Sequence, residues 1–96
     1  MLDPAGLTVE VENRNFNDAT IYAFDNGTRL RLGRVTGKTS ETFTFRWYQN
    51  QLRMIIDFTG GGWIVSESQP VYPGIDDNLH LIIGSRSNLL ATQWGR

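Results

Sequence analysis

The chain has 96 residues, no cysteine, one histidine and a formal net charge of −1. A chain of about this length predicts one domain with one hydrophobic core. The absence of thiols and the single imidazole exclude disulfides, thiolate metal sites, cysteine nucleophiles and metal sites that need several histidines. Nine basic and ten acidic residues are mixed along the chain, unlike the basic footprint of a nucleic-acid-binding domain.

The dominant sequence pattern is alternation of apolar and polar residues in short segments separated by turn residues. Strands spaced by about 8–12 residues in this way are typical of an all-β sandwich or barrel. No window shows a sustained helical period, so we expect no long helix. The predicted strands are residues 7–13, 19–24, 28–35, 41–47, 51–59, 63–68 and 78–83.

The second and third predicted strands form the clearest hairpin. Asn26-Gly27 lies between them, and this pair favours a type I′ turn because both residues tolerate a positive φ. In the returning strand, Leu30 is predicted to face inwards, whereas Arg29 and Arg31 face outwards. We expect these two arginines to form cross-strand pairs with acidic residues, the candidates being Glu10, Glu12 and Glu41.

The segment between the first two strands is rich in asparagine. Asn13, Asn15 and Asn17 are followed by Asp18. Such side chains accept hydrogen bonds from nearby backbone N–H groups, so we predict a connection here.

These patterns predict an immunoglobulin-like two-sheet antiparallel sandwich of about seven strands, with a small β-barrel as the alternative. The predicted sandwich domain covers residues 7–83. Residues 1–6 form an N-terminal extension that lacks the basic and apolar segments of a signal peptide. Residues 84–96 are predicted to be a tail, in which Leu89, Leu90 and Trp94 could dock.

Three stretches carry a family resemblance. They are residues 9–15 (VEVENRN), residues 21–35 (from IYAF to RLGRV) and residues 73–79 (PGIDDNL). Together they resemble short bacterial exported or lipid-anchored β-sandwich proteins of uncharacterised function. The resemblance implies an extracytoplasmic location and no enzymatic activity, and it transfers no functional residue.

The residues that could carry chemistry have simpler interpretations. His80 lies between two leucines of a predicted strand without a nucleophile-elbow motif, so we favour a surface or inter-sheet histidine over a hydrolase triad. Asp76 and Asp77 lie in no calcium-loop motif, so we predict that they shape a turn and bind no metal. The glycines at 60–62 lack the lysine of a phosphate loop. We therefore predict no catalytic residue and no cofactor.

Several strands are apolar on both faces, which indicates either cover on both sides or an exposed patch for a partner. Tyr22 and Phe24 alternate with Ile21 and Ala23. Ile55 and Ile82 likewise lie opposite predicted core positions. The candidate partner surface consists of Tyr22, Phe24, Arg29, Arg31, Ile55, Trp63, Tyr72 and Ile82.

From the sequence we expect a non-enzymatic binding or structural module that meets a protein partner or its own copy. The alternative is a carbohydrate-binding module that uses Trp63, Tyr72 or Trp94 as stacking surfaces. We expect a periplasmic or cell-surface location, with the cytoplasm as the alternative, and no nucleic-acid partner. No apolar stretch is long enough to predict a transmembrane helix.

Overall fold

The computed structural model describes residues 6–72, 77–85 and 92–95, and these residues form nine β-strands and no helix. The strands are β1 (Gly6–Asn13), β2 (Ala19–Asp25), β3 (Thr28–Val35), β4 (Ser40–Arg46), β5 (Gln51–Phe58), β6 (Trp63–Val65), β7 (Gln69–Pro70), β8 (Asp77–Ile83) and β9 (Thr92–Gly95). Within these ranges, no helix is long and apolar enough to span a membrane.

The strands form two sheets. The first sheet has the order β4-β1-β8-β9, and the second has the order β3-β2-β5-β6 with the short β7 beside β5. The predicted all-β two-sheet sandwich is confirmed, and the sheets do not close into the alternative small barrel. One pair, β1 and β8, runs parallel, whereas the prediction was of antiparallel sheets. Apolar alternation gives a strand's two faces but not its direction relative to a neighbour, so the sequence could not show this.

The hydrophobic core lies between the two sheets, where alternate residues of the long strands are buried. The buried apolar side chains come from both layers: Leu7, Val9, Val11, Leu79, Leu81 and Ile83 from the first, and Ala19, Ile21, Ala23, Val35, Leu52, Met54, Ile56 and Phe58 from the second. Trp47 is the largest fully buried side chain, and its indole N–H donates a 2.9 Å hydrogen bond to the carbonyl of Gln51. The core is thus shared by both sheets, as the alternation predicted.

The β2–β3 hairpin has the predicted two-residue turn. Asn26 and Gly27 both have positive φ, 48° and 83°, as a type I′ turn requires. A bulge interrupts the ladder further along β3, next to Gly33 with a φ of +154°. A Cβ on Gly33 would lie 2.8 Å from the Phe43 ring, so a larger residue here would require that ring to shift and would also strain the positive-φ backbone. Leu30 lies on the inward side of its sheet, as predicted, because it is opposite the buried Ala23, but it is 38% exposed since it lies near the hairpin turn on an edge strand.

The asparagine-rich connection is held by its own side chains, as predicted. The Asn13 side-chain oxygen accepts a hydrogen bond from the backbone N–H of Asn15, and the Asn15 side-chain oxygen accepts one from the N–H of Asn17. The amide of Asn13 also donates to the carbonyls of Asn17 (2.9 Å) and Val35 (3.2 Å). Asn13 is 1% exposed, so this one side chain joins the ends of β1 and β3 inside the protein.

The C-terminal part differs in detail from the predicted pattern. The predicted strand at 63–68 ends at Val65 as β6, and β7 begins at Gln69, beyond the predicted end; Ser66, in the segment between them, is buried. The Ser66 hydroxyl accepts a hydrogen bond from the Met54 N–H, replacing the ladder bond that β6 no longer makes. Within the predicted tail, β9 pairs with β8 and the indole N–H of Trp94 donates to the Glu67 carbonyl at 2.8 Å. Leu89, Leu90 and the predicted turn at 73–74 lie outside the described residues.

Candidate functional site

The outer face of the second sheet carries most of the predicted partner residues. Cross-strand register places its outward side chains in three rows. The row nearest the hairpin turn is Arg29, Phe24 and Arg53; the next is Arg31, Tyr22, Ile55 and Val65; the third is Arg34, Thr20, Asp57 and Trp63. We call the surface formed by Tyr22, Phe24, Arg29, Arg31, Arg53 and Ile55 the arginine–aromatic face.

Apolar groups on this side of the sheet remain accessible. Trp63 is 67% exposed and Val65 is 42% exposed, while Tyr22, Phe24 and Ile55 are half-buried. In the described part of the chain, the first sheet packs against the opposite side and no strand covers this one. The apolar outward positions that the sequence indicated are therefore an uncovered patch.

Of the four arginines on this side of the second sheet, one contacts a carboxylate and three do not. Arg34 contacts an Asp18 carboxylate oxygen at 3.4 Å and donates to the Thr59 hydroxyl at 3.1 Å. Among the described residues, no carboxylate lies within 4.0 Å of the guanidinium groups of Arg29, Arg31 or Arg53. The guanidinium carbon of Arg29 lies 4.2 Å from the centre of the Tyr22 ring, in a cation–π contact.

The predicted cross-strand pairs between Arg29 or Arg31 and an acidic residue are wrong. The candidate acids Glu10 and Glu12 lie on β1 and Glu41 lies on β4, and both strands belong to the first sheet. Across the ladder from Arg29 and Arg31 lie Phe24 and Tyr22 instead. Because the opposite side chains are aromatic, the positive charges remain available to a partner.

Two residues of the predicted partner surface lie outside the three rows. Ile82 is half-buried on the outer face of the first sheet, between Glu12 and Gln93 in the ladder. Tyr72 follows β7 and is 57% exposed. The remaining members of the predicted set share the outer side of the second sheet.

Arg53 and Val65 belong to this surface but were not predicted. Arg53 lies two residues before Ile55 on β5, and Val65 lies two residues after Trp63 on β6. Because residues two apart on a strand share a face, the sequence could have placed Arg53 on the same face as Ile55, and Val65 on the same face as Trp63. What the sequence could not show is that β5 separates β2 from β6 and so joins their outward side chains into one surface.

His80 lies on the outer face of the first sheet and contacts a carboxylate. Its Nε2 atom lies 3.4 Å from a Glu12 oxygen and makes no hydrogen bond within the described residues. The Glu12 carboxylate accepts a hydrogen bond from Arg14, and this bond lowers the pKa of Glu12 below its ordinary value, with smaller contributions from the charges of Arg14 and His80. The group is a Glu12–Arg14 ion pair on the outer face of the sheet with the imidazole of His80 beside it.

The acidic side chains of the described residues form no cluster that could hold a metal ion. Asp18 is engaged by the backbone N–H of Gly37 at 2.9 Å and by Arg34. Asp76 and the side chain of Asp77 lie outside the described residues.

A cavity lies between β9 and the segment that joins β6 to β7. The cavity has a volume of about 360 Å³, and its lining includes Trp94 and the polar residues Glu67, Ser68, Gln69 and Gln93. Trp94 belongs to the inward side of the first sheet, opposite Leu81 in the ladder, whereas Trp63 faces outwards on the second sheet. The two tryptophans therefore do not form one stacking surface.

No family model matches this chain, and searches of curated proteins and of solved structures find no similar protein.

Proposed function

We propose that this domain is a non-enzymatic binding module that contacts a protein partner, or a second copy of itself, through the outer side of the second sheet. The observation that carries the proposal is an uncovered patch in which tryptophan, tyrosine, phenylalanine and isoleucine adjoin unpaired arginines. Tyrosine, tryptophan and arginine are the residues that most often contribute binding energy in protein interfaces.

The patch has the physical character of an interface centre. Its aromatic side chains offer apolar area at a low cost in conformational entropy, because they lie on paired strands. Its guanidinium groups can donate several hydrogen bonds each. An extracytoplasmic location is part of the proposal, and it is supported by the resemblance described above to exported β-sandwich proteins.

The test compares the protein with the variant Trp63→Ser/Val65→Thr. Both side chains are exposed on the short strand β6, so the fold should survive. Tyr72→Ser is the control because it removes an exposed aromatic ring that follows β7 and lies outside the three rows of the patch. Peptide-display selection and sedimentation at micromolar concentration would measure partner binding and self-association respectively.

We expect selected peptides, or a concentration-dependent dimer, that are lost in the double variant and kept in Tyr72→Ser. A protein that stays monomeric and selects no peptide, or whose binding is the same in both variants, would contradict the proposal. For the location, fractionation of cells expressing the native gene should recover the protein outside the cytoplasm; recovery in the cytoplasm would contradict that part.

A specific observation also favours a second candidate function, carbohydrate binding at the cavity beside Trp94. The cavity is lined by the aromatic residue Trp94 together with Gln69, Gln93 and Ser68, a combination of residue types that suits the apolar face and the hydroxyl groups of a sugar. A glycan array probed with the protein and with Gln69→Ala/Gln93→Ala would test this. Loss of a glycan signal in the variant supports it, and no glycan signal from the unaltered protein refutes it.

A further inference from the structure

We infer that the partner segment bound by the arginine–aromatic face is an acidic, extended peptide with carboxylates at alternate positions. This inference rests on the proposed function, since it names the chemistry of the partner that the same surface would take. Its basis is the number, pairing state and spacing of the guanidinium groups.

The charge on this surface differs from that of the whole chain. The chain has a net charge of −1, yet Arg29, Arg31 and Arg53 lie together without a carboxylate partner among the described residues. Of the acids that reach this side of the sheet, Asp18 contacts Arg34, and Asp57 lies four residues along β5 from Arg53, a distance of about 13 Å at the usual rise of an extended strand. A surface of like charge within a nearly neutral protein is complementary to an acidic partner.

The spacing of the arginines indicates how the carboxylates are arranged. Arg29 and Arg31 are two residues apart on β3, so their Cα atoms are separated by about 7 Å. An extended peptide lying along β3 presents every second side chain to the sheet with the same repeat. Glutamate or aspartate at alternate positions therefore meets both guanidinium groups, each of which can hold a carboxylate with two parallel hydrogen bonds.

The aromatic side chains favour a peptide over a single-stranded nucleic acid. Nucleic acids bind such sheets by stacking bases on exposed rings. Within the arginine–aromatic face the Tyr22 ring is already covered by the Arg29 guanidinium, and Phe24 is half-buried between Arg29 and Arg53. The exposed Trp63 ring lies outside this face, in the third row on β6. The rings thus form an apolar floor between positive charges, which suits carboxylates and short apolar groups.

The test uses a synthetic peptide of about ten residues in which glutamate alternates with valine, long enough to follow one strand. Three further probes complete the set: the same peptide with glutamine for glutamate, a peptide of equal composition with the glutamates in one block, and an oligothymidylate. Affinity is measured by calorimetry at low and at raised salt for the protein and two variants. Arg29→Gln/Arg31→Gln removes two charges from the face, and Lys38→Gln removes an exposed charge elsewhere.

We expect the alternating glutamate peptide to bind, with affinity falling at raised salt because exposed charges are screened. The double variant should weaken binding by about tenfold or more, and Lys38→Gln by less than about twofold. Circular dichroism and thermal melting of each variant establish that the fold is kept.

The remaining outcomes separate the inference from the proposed function. Equal binding of the glutamine peptide, lost in Trp63→Ser/Val65→Thr, overturns the acidic partner and leaves the binding face in place. Equal binding of the block peptide overturns the alternating arrangement. Preference for the oligothymidylate overturns the peptide assignment. Absence of binding to every probe overturns the inference, and the display selection then decides the proposed function independently.

Discussion

Replacing Asn13 by alanine should be among the most destabilising polar substitutions in this domain. The Asn13 side chain is buried and makes hydrogen bonds to the carbonyls of Asn17 and Val35 and to the N–H of Asn15. Alanine removes all of these bonds. It also leaves the Val35 carbonyl without this side-chain donor in the protein interior.

The size of the effect follows from the number of groups left without a partner. A buried polar group that loses its partner costs about 1–3 kcal/mol, and one of the three bonds, to the Asn17 carbonyl, is only partly buried. We therefore expect the free energy of unfolding to fall by about 2–4 kcal/mol. For a domain of this length that corresponds to a loss of about 10 °C or more in melting temperature. Urea unfolding followed by the fluorescence of the buried Trp47 measures the change directly.

Asn17→Ala is the matched control, because its side chain is exposed and only its backbone takes part in the network. We expect it to change stability by less than about 0.5 kcal/mol. Asn13→Asp should be nearly as harmful as Asn13→Ala, since it keeps the acceptor but loses the donor and buries a charge. An Asn13→Ala protein as stable as Asn17→Ala would refute this account of the connection.

Three further predictions concern other parts of the fold. Gly37→Ala should destabilise the domain by more than about 2 kcal/mol, because a Cβ there would overlap a backbone carbonyl oxygen. Gly60→Ala should cost little, since the nearest atoms belong to a movable side chain. Equal melting temperatures of the two variants would contradict this prediction. Ser66→Ala should cost about 1–3 kcal/mol in urea unfolding by removing a buried hydrogen bond, and the exposed Ser68→Ala under about 0.5 kcal/mol; the reverse order would count against it. Because the pKa of Glu12 is lowered in the folded protein, its ionised carboxylate stabilises the fold above the ordinary value of 4.5, and this stabilisation is lost as the pH falls through the lowered pKa. Glu12→Gln should therefore flatten the loss of stability below pH 4.5. Parallel stability–pH curves for the two proteins would exclude this role.

The alternation of side chains was enough to predict most strands, because it is a local property of the chain. The third predicted strand, 28–35, has the bounds observed for β3, and the Asn26-Gly27 turn has the predicted positive φ values. Pairing is a property of the folded chain as a whole, and it was not predictable in the same way. The parallel pairing of β1 with β8 depends on the path of the chain between them.

The candidate surface shows the same division. Parity predicted that Tyr22 and Phe24 share one face of their strand and that Ile55 lies opposite the core face of its own, and the structure places all three on the outer side of the second sheet. The sequence could not show that Ile82 lies on the other sheet, since its alternation resembles that of Ile55. The predicted partners of Arg29 failed for the same reason, because the choice of opposite strand decides which side chains meet.

The most direct test of the binding face is a nuclear magnetic resonance titration of the isotope-labelled protein with the alternating glutamate–valine peptide. We predict that the backbone amides with the largest chemical-shift changes lie on β2, β3 and β5, together with the side-chain N–H groups of Arg29, Arg31 and Arg53. Changes centred on the outer side of the first sheet, around Thr42 and His80, or at the indole of Trp94, would contradict the assignment of this surface.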